Sequence, residues 1–145
     1  MLNYPLPLSK GCKLVKVSAA VATGTTTINT SHVDRRGFMG VLFLFSFGSS
    51  AADIGAKIQQ GMESDNSDMA DLADSLTLLD GTKKQLLIDV KGGSDDYIRG
   101  SIQRTTTTTI ESAWALLYGP RDLPIDNVAA DQVVALLEDP VEGTA

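Results

Sequence analysis

Cysteine and histidine are almost absent from this chain of 145 residues, which has one of each, Cys12 and His32. A single cysteine excludes an internal disulfide and a zinc site built from cysteines. His32 stands in a polar connection close to Asp34, a spacing that is more typical of a surface-loop histidine than of a catalytic pair. The chain also lacks the Gly-x-Ser-x-Gly, Walker and HExxH patterns. The sequence therefore predicts that the protein is not an enzyme and has no metal and no cofactor.

Long apolar runs and an excess of basic charge are also missing. The apolar run at residues 38–47 has ten residues, whereas a membrane-spanning helix needs roughly 20. It lies too far along the chain for a secretion signal, which occupies roughly the first 15–30 residues. The net charge of −6 argues against nucleic-acid binding, which uses a basic surface. We expect a protein made in the cytoplasm, with neither a membrane nor a nucleic acid as its partner.

What the chain does have is a strand-length apolar stretch, FMGVLFLFSF, at residues 38–47. Phenylalanine, valine and leucine at this length, with glycine on both sides, favour a strand that is buried on both faces. The odd positions from Val41 to Phe47 would face one way, with Leu42 and Leu44 facing the other. We expect this strand to be central in a sheet.

Strand signals recur in other segments of the chain, mostly as period-two alternation and in 25–31 as a threonine-rich stretch. These segments are residues 13–23, 25–31, 54–62, 76–90 and 97–102. Within 76–90 the Asp80-Gly81 pair predicts the turn of a hairpin. The side chains expected to point inward from these segments are Val15, Val17, Ala19, Val21, Ile54, Ala56, Ile58, Met62, Leu86, Ile88 and Val90.

The stretch TTTTTIESAWALLYGP, residues 105–120, predicts a final core strand. Its five threonines are poor helix formers because β-branching restricts their side chains. Ile110, Trp114, Leu116 and Tyr118 share one parity and are therefore expected to face the core. A helix over residues 110–117 is the competing interpretation.

Seven or so short strands with turn signals between them predict an all-β fold, a small antiparallel β-sandwich or β-barrel of the jelly-roll type. We divide the chain into an N-terminal arm (1–12), a β-domain (13–119) and a C-terminal tail (120–145). In the tail, the patch DQVVALLED is consistent with either a helical turn or an extended segment. The acidic stretch 63–75 predicts a solvated loop with one helical turn around 69–73. Its carboxylates lack the register of a calcium-binding EF-hand loop.

The N-terminal arm offers candidate partner contacts. Pro5 and Pro7 disfavour a regular helix and favour an extended segment. Tyr4, Leu6 and Leu8 then place apolar side chains at every second position. Free tails are usually more polar than this. We expect the arm to dock onto a neighbouring subunit.

Further candidate contacts lie in the second half of the chain. Tyr97 and Arg99 place an aromatic ring and a guanidinium on one strand face, either as a cross-strand packing pair or as a contact with a partner. Thr107 lies at the centre of the threonine run, which would line a strand with hydroxyl groups. Such a strand is either an exposed sheet edge or one pressed against another subunit.

Taken in order, several segments resemble a family of small tailed-phage virion proteins, the capsid decoration or cement proteins. The likeness spans residues 13–125 and includes a turn, YGPR, that contains Arg121. The segments are RGFMGVLFLFSFG, AKIQQGME, DMADLADS, KQLLIDV, DYIRGSIQRTTTTTIES, WALLYGPRDLPI and the terminal EGTA.

The resemblance implies a rigid, mostly β, non-enzymatic protein on the outside of the phage head. Such proteins bind the major capsid protein as homo-oligomers, commonly trimers at threefold positions, and lock neighbouring coat subunits together. Two alternatives stay open at this point. One is a neck or tail component of the virion, and the other is a small β-barrel module that binds a ligand or metal at the 63–75 loop.

Overall fold

Two antiparallel β-sheets pack face to face in the described part of the chain. The structure is a computed structural model that describes residues 6–127, 132–138 and 141–143. Its elements are α1 (Leu8–Gly11), β1 (Lys13–Ser18), β2 (Val21–Gly24), β3 (Ile28–Asn29), β4 (Val33–Asp34), β5 (Phe38–Phe47), β6 (Ile54–Gly61), β7 (Ala70–Asp71), β8 (Thr77–Leu78), β9 (Gln85–Lys91), β10 (Tyr97–Arg104) and β11 (Thr108–Pro120). The predicted all-β sandwich is confirmed.

The first sheet has five strands and the second has six. In the five-stranded sheet the order is β1-β11-β5-β9, and β2 continues the line of β1 along β11. In the six-stranded sheet the order is β3-β10-β6-β7, with β4 also on β10 and β8 also on β6. Every pairing is antiparallel, so the chain needs only turns and short crossings between strands.

The core lies between the sheets and is dominated by β5. The odd positions of β5 from Val41 to Phe47 are buried, as predicted, and the rings of Phe43 and Phe45 stack with their centroids 5.9 Å apart. Isoleucines from β6 and β10 cover them from the other sheet. Gly100 is required opposite Phe45, since a Cβ there would lie 2.6 Å from the ring.

The prediction that β5 is buried on both faces is wrong. Leu42 and Leu44, on its other face, are only half-buried. The reason is that the second sheet covers only one side of the first. In sequence, a half-exposed leucine cannot be distinguished from a buried one.

The predicted hairpin at Asp80-Gly81 is also wrong. The segment before the turn, β8, pairs with β6 in the six-stranded sheet, whereas β9 pairs with β5 in the other sheet. The turn itself is present: Asp80 accepts hydrogen bonds from the backbone N–H groups of Thr82 and Lys83, and Gly81 has φ +89°. A turn signal predicts that the chain reverses, but it does not specify which sheet the next strand joins.

Ile110 is buried as predicted, but beyond it the final strand, β11, presents the opposite face to the one predicted. A β-bulge sets two residues, Ile110 and Glu111, against one residue of β5, and this shifts the alternation by one position. Beyond the bulge the buried side chains are Ala113, Ala115 and Leu117. Trp114, Leu116 and Tyr118 therefore lie on the outer face. The segment is a strand, so the helical alternative over 110–117 is excluded.

Several shorter expectations also need correction. Residues 105–107 form the connection between β10 and β11 and not a strand, so the threonine run contributes only its last two members to β11. Around 69–73 the structure has the two-residue strand β7 in place of a helical turn. Ala19 lies in the break between β1 and β2 and is exposed, and Met62 is half-exposed beyond the end of β6.

The termini differ in part from the expected extended form. Residues 8–11 form one helical turn, because Pro7 stands just before the helix and a proline there removes no helical hydrogen bond. Residues 132–138 of the tail form neither helix nor strand. Of the two alternatives for the DQVVALLED patch, the helical turn is therefore excluded for these residues. Its residues 131 and 139 lie outside the described residues.

Candidate interaction surfaces

The outer face of the five-stranded sheet is apolar. Six side chains form two rows across its strands, and we call them the leucine face. One row crosses Leu14, Leu116 and Leu42, which are register neighbours, and the other crosses Trp114, Leu44 and Leu87. Together they line an open groove of about 350 Å³. Leu87 and Leu14 are 61% and 44% exposed, so this is apolar surface that water reaches.

Polar groups border the leucine face. The Nζ atom of Lys16 lies 5.9 Å from the ring centroid of Trp114, within the range of a cation–π contact. Ser46 donates a hydrogen bond to Glu111 at 2.8 Å. An apolar centre with a polar rim is the usual composition of a protein–protein contact surface.

The N-terminal arm and the C-terminal tail meet at one side of this face. Asn127 joins them: its side-chain oxygen accepts from Leu14 N at 2.8 Å, and its amide donates to the carbonyls of Ser9 and Cys12 at 2.9 and 2.7 Å. Gln132 donates to Leu14 O at 2.9 Å. These bonds cover the outer edge of β1. An adjoining cavity of about 550 Å³ lies between arm, tail and sheet.

The outer face of the six-stranded sheet has a different character. Its centre is a chain of polar contacts in which Lys57 and Gln59 both donate to Asp71, at 2.7 and 2.8 Å, and Arg99 donates to Gln59 at 2.9 Å. The hydrogen bond from Lys57 is the main cause of the lowered pKa of Asp71. This face satisfies its own polar groups and is the more water-compatible of the two.

A cluster around Tyr97 continues the polar face. The ring of His32 meets the Tyr97 ring edge-on with centroids 4.9 Å apart, and His32 Nδ1 is 2.8 Å from Asn66 Oδ1. The guanidinium of Arg36 lies 5.7 Å from the Tyr97 ring centroid and donates hydrogen bonds to both carboxylate oxygens of Asp34. Hydrogen bonding from Arg36 is the main cause of the lowered pKa of Asp34.

The residues predicted as partner contacts are dispersed over the molecule. Tyr97 and Arg99 belong to the polar face just described, where each already has partners within the chain. Thr107 is exposed in the connection before β11. Arg121 is exposed, and its backbone N–H donates to the carbonyl oxygen of Gly37 at 2.7 Å. These four do not form one surface with the arm.

The arm residues Leu6 and Leu8 are better placed to contact a partner. Leu6 and Leu8 are 47% and 74% exposed, and Leu8 lines the cavity beside the leucine face. Tyr4 lies outside the described residues. The one helical turn thus leaves apolar side chains of the arm available next to the apolar sheet face.

Two buried arginines were missed from the sequence. Arg104 is 2% exposed, and its guanidinium donates to the carbonyls of Ala22, Thr26 and Thr108 and to the hydroxyl of Thr26. These bonds join β2, the β2–β3 connection and the start of β11 to the end of β10. Arg35 is 8% exposed, and its guanidinium contacts Gly92 O. Arg104 has the parity of Ile98 and Ile102, which is the signal that could have placed it inward.

The acidic loop does not gather its carboxylates. Asp65 accepts from Ser67 N, and Asp68 accepts from the backbone N–H groups of Met62 and Glu63. These bonds shape the loop locally. Among the residues that the structure describes, no three His, Cys, Asp or Glu side chains converge in a way that could hold a metal ion.

Comparisons with protein-family models, with curated proteins and with solved structures gave no match. Within the described ranges, no helix has the length and apolar character needed to cross a lipid bilayer.

Proposed function

We propose that this chain is a structural, non-enzymatic virion protein that binds the outside of a tailed-phage head and cements neighbouring major capsid subunits. It would act as a homo-oligomer, and a trimer is the form that matches threefold positions on a shell. Each bound copy would stabilise the assembled lattice relative to separated subunits by mass action. The family resemblance over residues 13–125 motivates the identity of the partner.

The observation that carries the proposal is the leucine face. Large contiguous patches of exposed apolar surface are uncommon on a soluble monomer and mark interaction sites. A sandwich with one apolar and one polar outer face can bind a surface through the first while the second faces water. The six residues come from all four of the sheet's longer strands, so the sheet itself holds them in fixed positions.

Stable attachment to a shell requires the burial of more apolar surface than the leucine face alone provides. Full burial of a leucine side chain contributes about 1.5–3 kcal/mol, and these side chains are already partly buried. Association costs on the order of 4–15 kcal/mol in lost freedom. Leu6 and Leu8 of the arm would therefore be covered in the same contact, which extends the apolar surface beyond the sheet.

A matched pair of variants tests the use of the leucine face. Leu14 and Leu78 are 44% and 43% exposed, but only Leu14 belongs to this face, whereas Leu78 lies in the six-stranded sheet. We expect Leu14→Asp to weaken attachment to undecorated heads at least about tenfold, since the loss of one buried leucine is worth about that factor. Leu78→Asp should attach like the wild type. Circular dichroism of both variants controls for folding.

Copy number on purified particles tests the location. Quantitative mass spectrometry should give a count comparable with that of the major capsid protein. A count that fits one ring at the neck would favour the neck or tail alternative. Failure of the wild-type chain to bind heads at all would overturn the proposal.

A further inference from the structure

The strand β9 is an open edge of the five-stranded sheet. In the described part of the chain it pairs with β5 on one side only, over seven residues without a bulge or a proline. Phe47 N donates to Lys84 O and Gly92 N donates to Met39 O, so the even positions of β9 face β5. The peptide groups of the odd positions 85–91 therefore point away from the sheet. A regular edge of this kind is a template for an added strand.

The opposite edge of the same sheet is covered. On β1 the side chains of Asn127 and Gln132 bond the N–H and C=O groups of Leu14, and Ser31 N donates to Val17 O. The fold thus blocks one edge with its own residues and leaves the other available.

The charges at the ends of β9 indicate what would fit there. Lys84 directly precedes β9 and Lys91 is its last residue; both are exposed, and within the described residues neither pairs with a carboxylate. An added strand would match this edge if it were apolar at the centre and acidic at both ends.

The chain contains such a segment in its own C-terminal tail. In the sequence DQVVALLE, residues 131–138, Asp131 and Glu138 are separated by the same interval as Lys84 and Lys91. Residues 132–138 have no helix or strand in the structure, and Val133 and Leu137 are 99% and 76% exposed. Exposed aliphatic side chains at this density are costly unless another surface covers them.

We propose that residues 132–138 of one copy add to β9 of a second copy as an antiparallel strand. The register that pairs Lys84 with Glu138 brings Gln85 opposite Leu137 and extends the five-stranded sheet by one strand. By sequence interval alone, the same register sets Asp131 against Lys91. Antiparallel pairing matches every other pairing in the fold and is the more stable form.

The geometry favours exchange between copies. Asn127, which precedes this segment, is bonded to Leu14 on β1, and β11 and β5 lie between β1 and β9. Three strand spacings amount to about 14 Å, so the tail starts at the far side of its own sheet from its own β9. A contact between the C-terminal tail of one copy and the β9 edge of the next uses two different surfaces and is therefore of the head-to-tail kind. Such contacts generate a closed ring when the rotations between successive copies add up to a full turn. This inference concerns how copies join and does not depend on what the assembly binds.

Charge exchange in the full-length chain tests the pairing. We expect Lys84→Glu with Lys91→Glu to weaken self-association in sedimentation equilibrium about tenfold, because two attractive pairs become repulsive. Adding Asp131→Lys with Glu138→Lys should restore it. Lys13→Glu, on the opposite edge of the same sheet, is the matched control and should associate like the wild type. A wild-type chain that stays monomeric at all concentrations, or an absence of rescue, would overturn the proposal.

Cross-linking tests the register and the copy that supplies the tail. In a Cys12→Ser background, Gln85→Cys with Leu137→Cys should form a disulfide between chains on mild oxidation, since paired strand positions lie within disulfide reach. Gln85→Cys with Gln132→Cys is the control and should stay reduced. A disulfide within one chain would overturn the exchange, and a dimer formed by Gln85→Cys alone would indicate edge-to-edge pairing of two β9 strands instead.

Discussion

Tyr118 donates its phenolic hydrogen to Asp89 at 2.6 Å, although β11 and β9 are separated by β5. The ring crosses β5 at Gly40, where a Cβ would lie 2.3 Å from the hydroxyl oxygen. Glycine at position 40 is therefore required by this crossing. The contact links three strands at the border of the leucine face.

This hydrogen bond predicts a loss of stability at alkaline pH. Bonding to Asp89 raises the pKa of Tyr118 from 10.0 to about 12. The stabilisation is fully present below pH about 10, the unfolded value, and is lost as the pH rises through the folded value. We expect the stability difference between wild type and Tyr118→Phe to shrink over that window, as measured by urea unfolding at each pH.

Spectroscopic titration of tyrosinate is the direct measurement. Asp89→Asn should bring the pKa of Tyr118 down towards 10, because the charged acceptor is removed. Gly40→Ala should do the same by displacing the ring. An unchanged titration in both variants would contradict the assigned contact.

Core substitutions in β5 should be severe. Phe43 and Phe45 are fully buried, so Phe43→Ala and Phe45→Ala should each cost about 3–5 kcal/mol in the free energy of unfolding. A domain of this size has about 5–15 kcal/mol in total, so at least one variant should be insoluble or markedly unstable. Leu42→Ala, on the half-exposed face of the same strand, is the control and should cost less. Denaturant midpoints decide between these outcomes.

The bulge at Glu111 can be tested through two adjacent leucines. Leu117 is 1% exposed and Leu116 is half-buried on the outer face. Leu117→Lys should unfold the protein, since an unpaired charge would enter the core. Leu116→Lys should stay folded. The reverse result would mean that the alternation of β11 runs without the bulge, and circular dichroism with thermal melting distinguishes the two.

Removal of the Arg104 guanidinium should destabilise the fold through the acceptors that it leaves behind. Arg104→Met keeps much of the volume but leaves three buried or part-buried carbonyls without this donor. We expect a loss of at least about 2 kcal/mol in the free energy of unfolding. Arg99→Met, which breaks one part-buried bond to Gln59, should cost less than about 1.5 kcal/mol. Equal effects on urea unfolding would contradict the structural role of Arg104.

The local sequence pattern predicted where the strands lie better than it predicted which strands pair with each other. The stretch 38–47 was assignable because its apolar residues, length and flanking glycines all indicate one central strand. The destination of β9 was not assignable, because Asp80-Gly81 specifies a turn whichever sheet follows it. The inward face of β11 was also mispredicted, since a one-residue bulge reverses every later side chain and has no reliable sequence signature.

The candidate surface was harder to predict than the fold. The leucine face joins residues from four strands that are far apart in the sequence, so no single segment of the sequence predicts it. In sequence, Leu42, Leu44, Trp114 and Leu116 look like core residues. Only the placement of the second sheet, on the opposite side of β5, leaves them half-buried instead of fully buried.

The position of β11 in the chain has a consequence for synthesis. This strand pairs with β1, β2 and β5, yet it is made after all of them. During translation the phenylalanine-rich β5 therefore has an unpaired edge until β11 is made. Pairings between strands so far apart in the sequence form slowly. A nascent chain that stalls before Thr108 would expose that edge to its neighbours on the same polysome, where aggregation competes with folding.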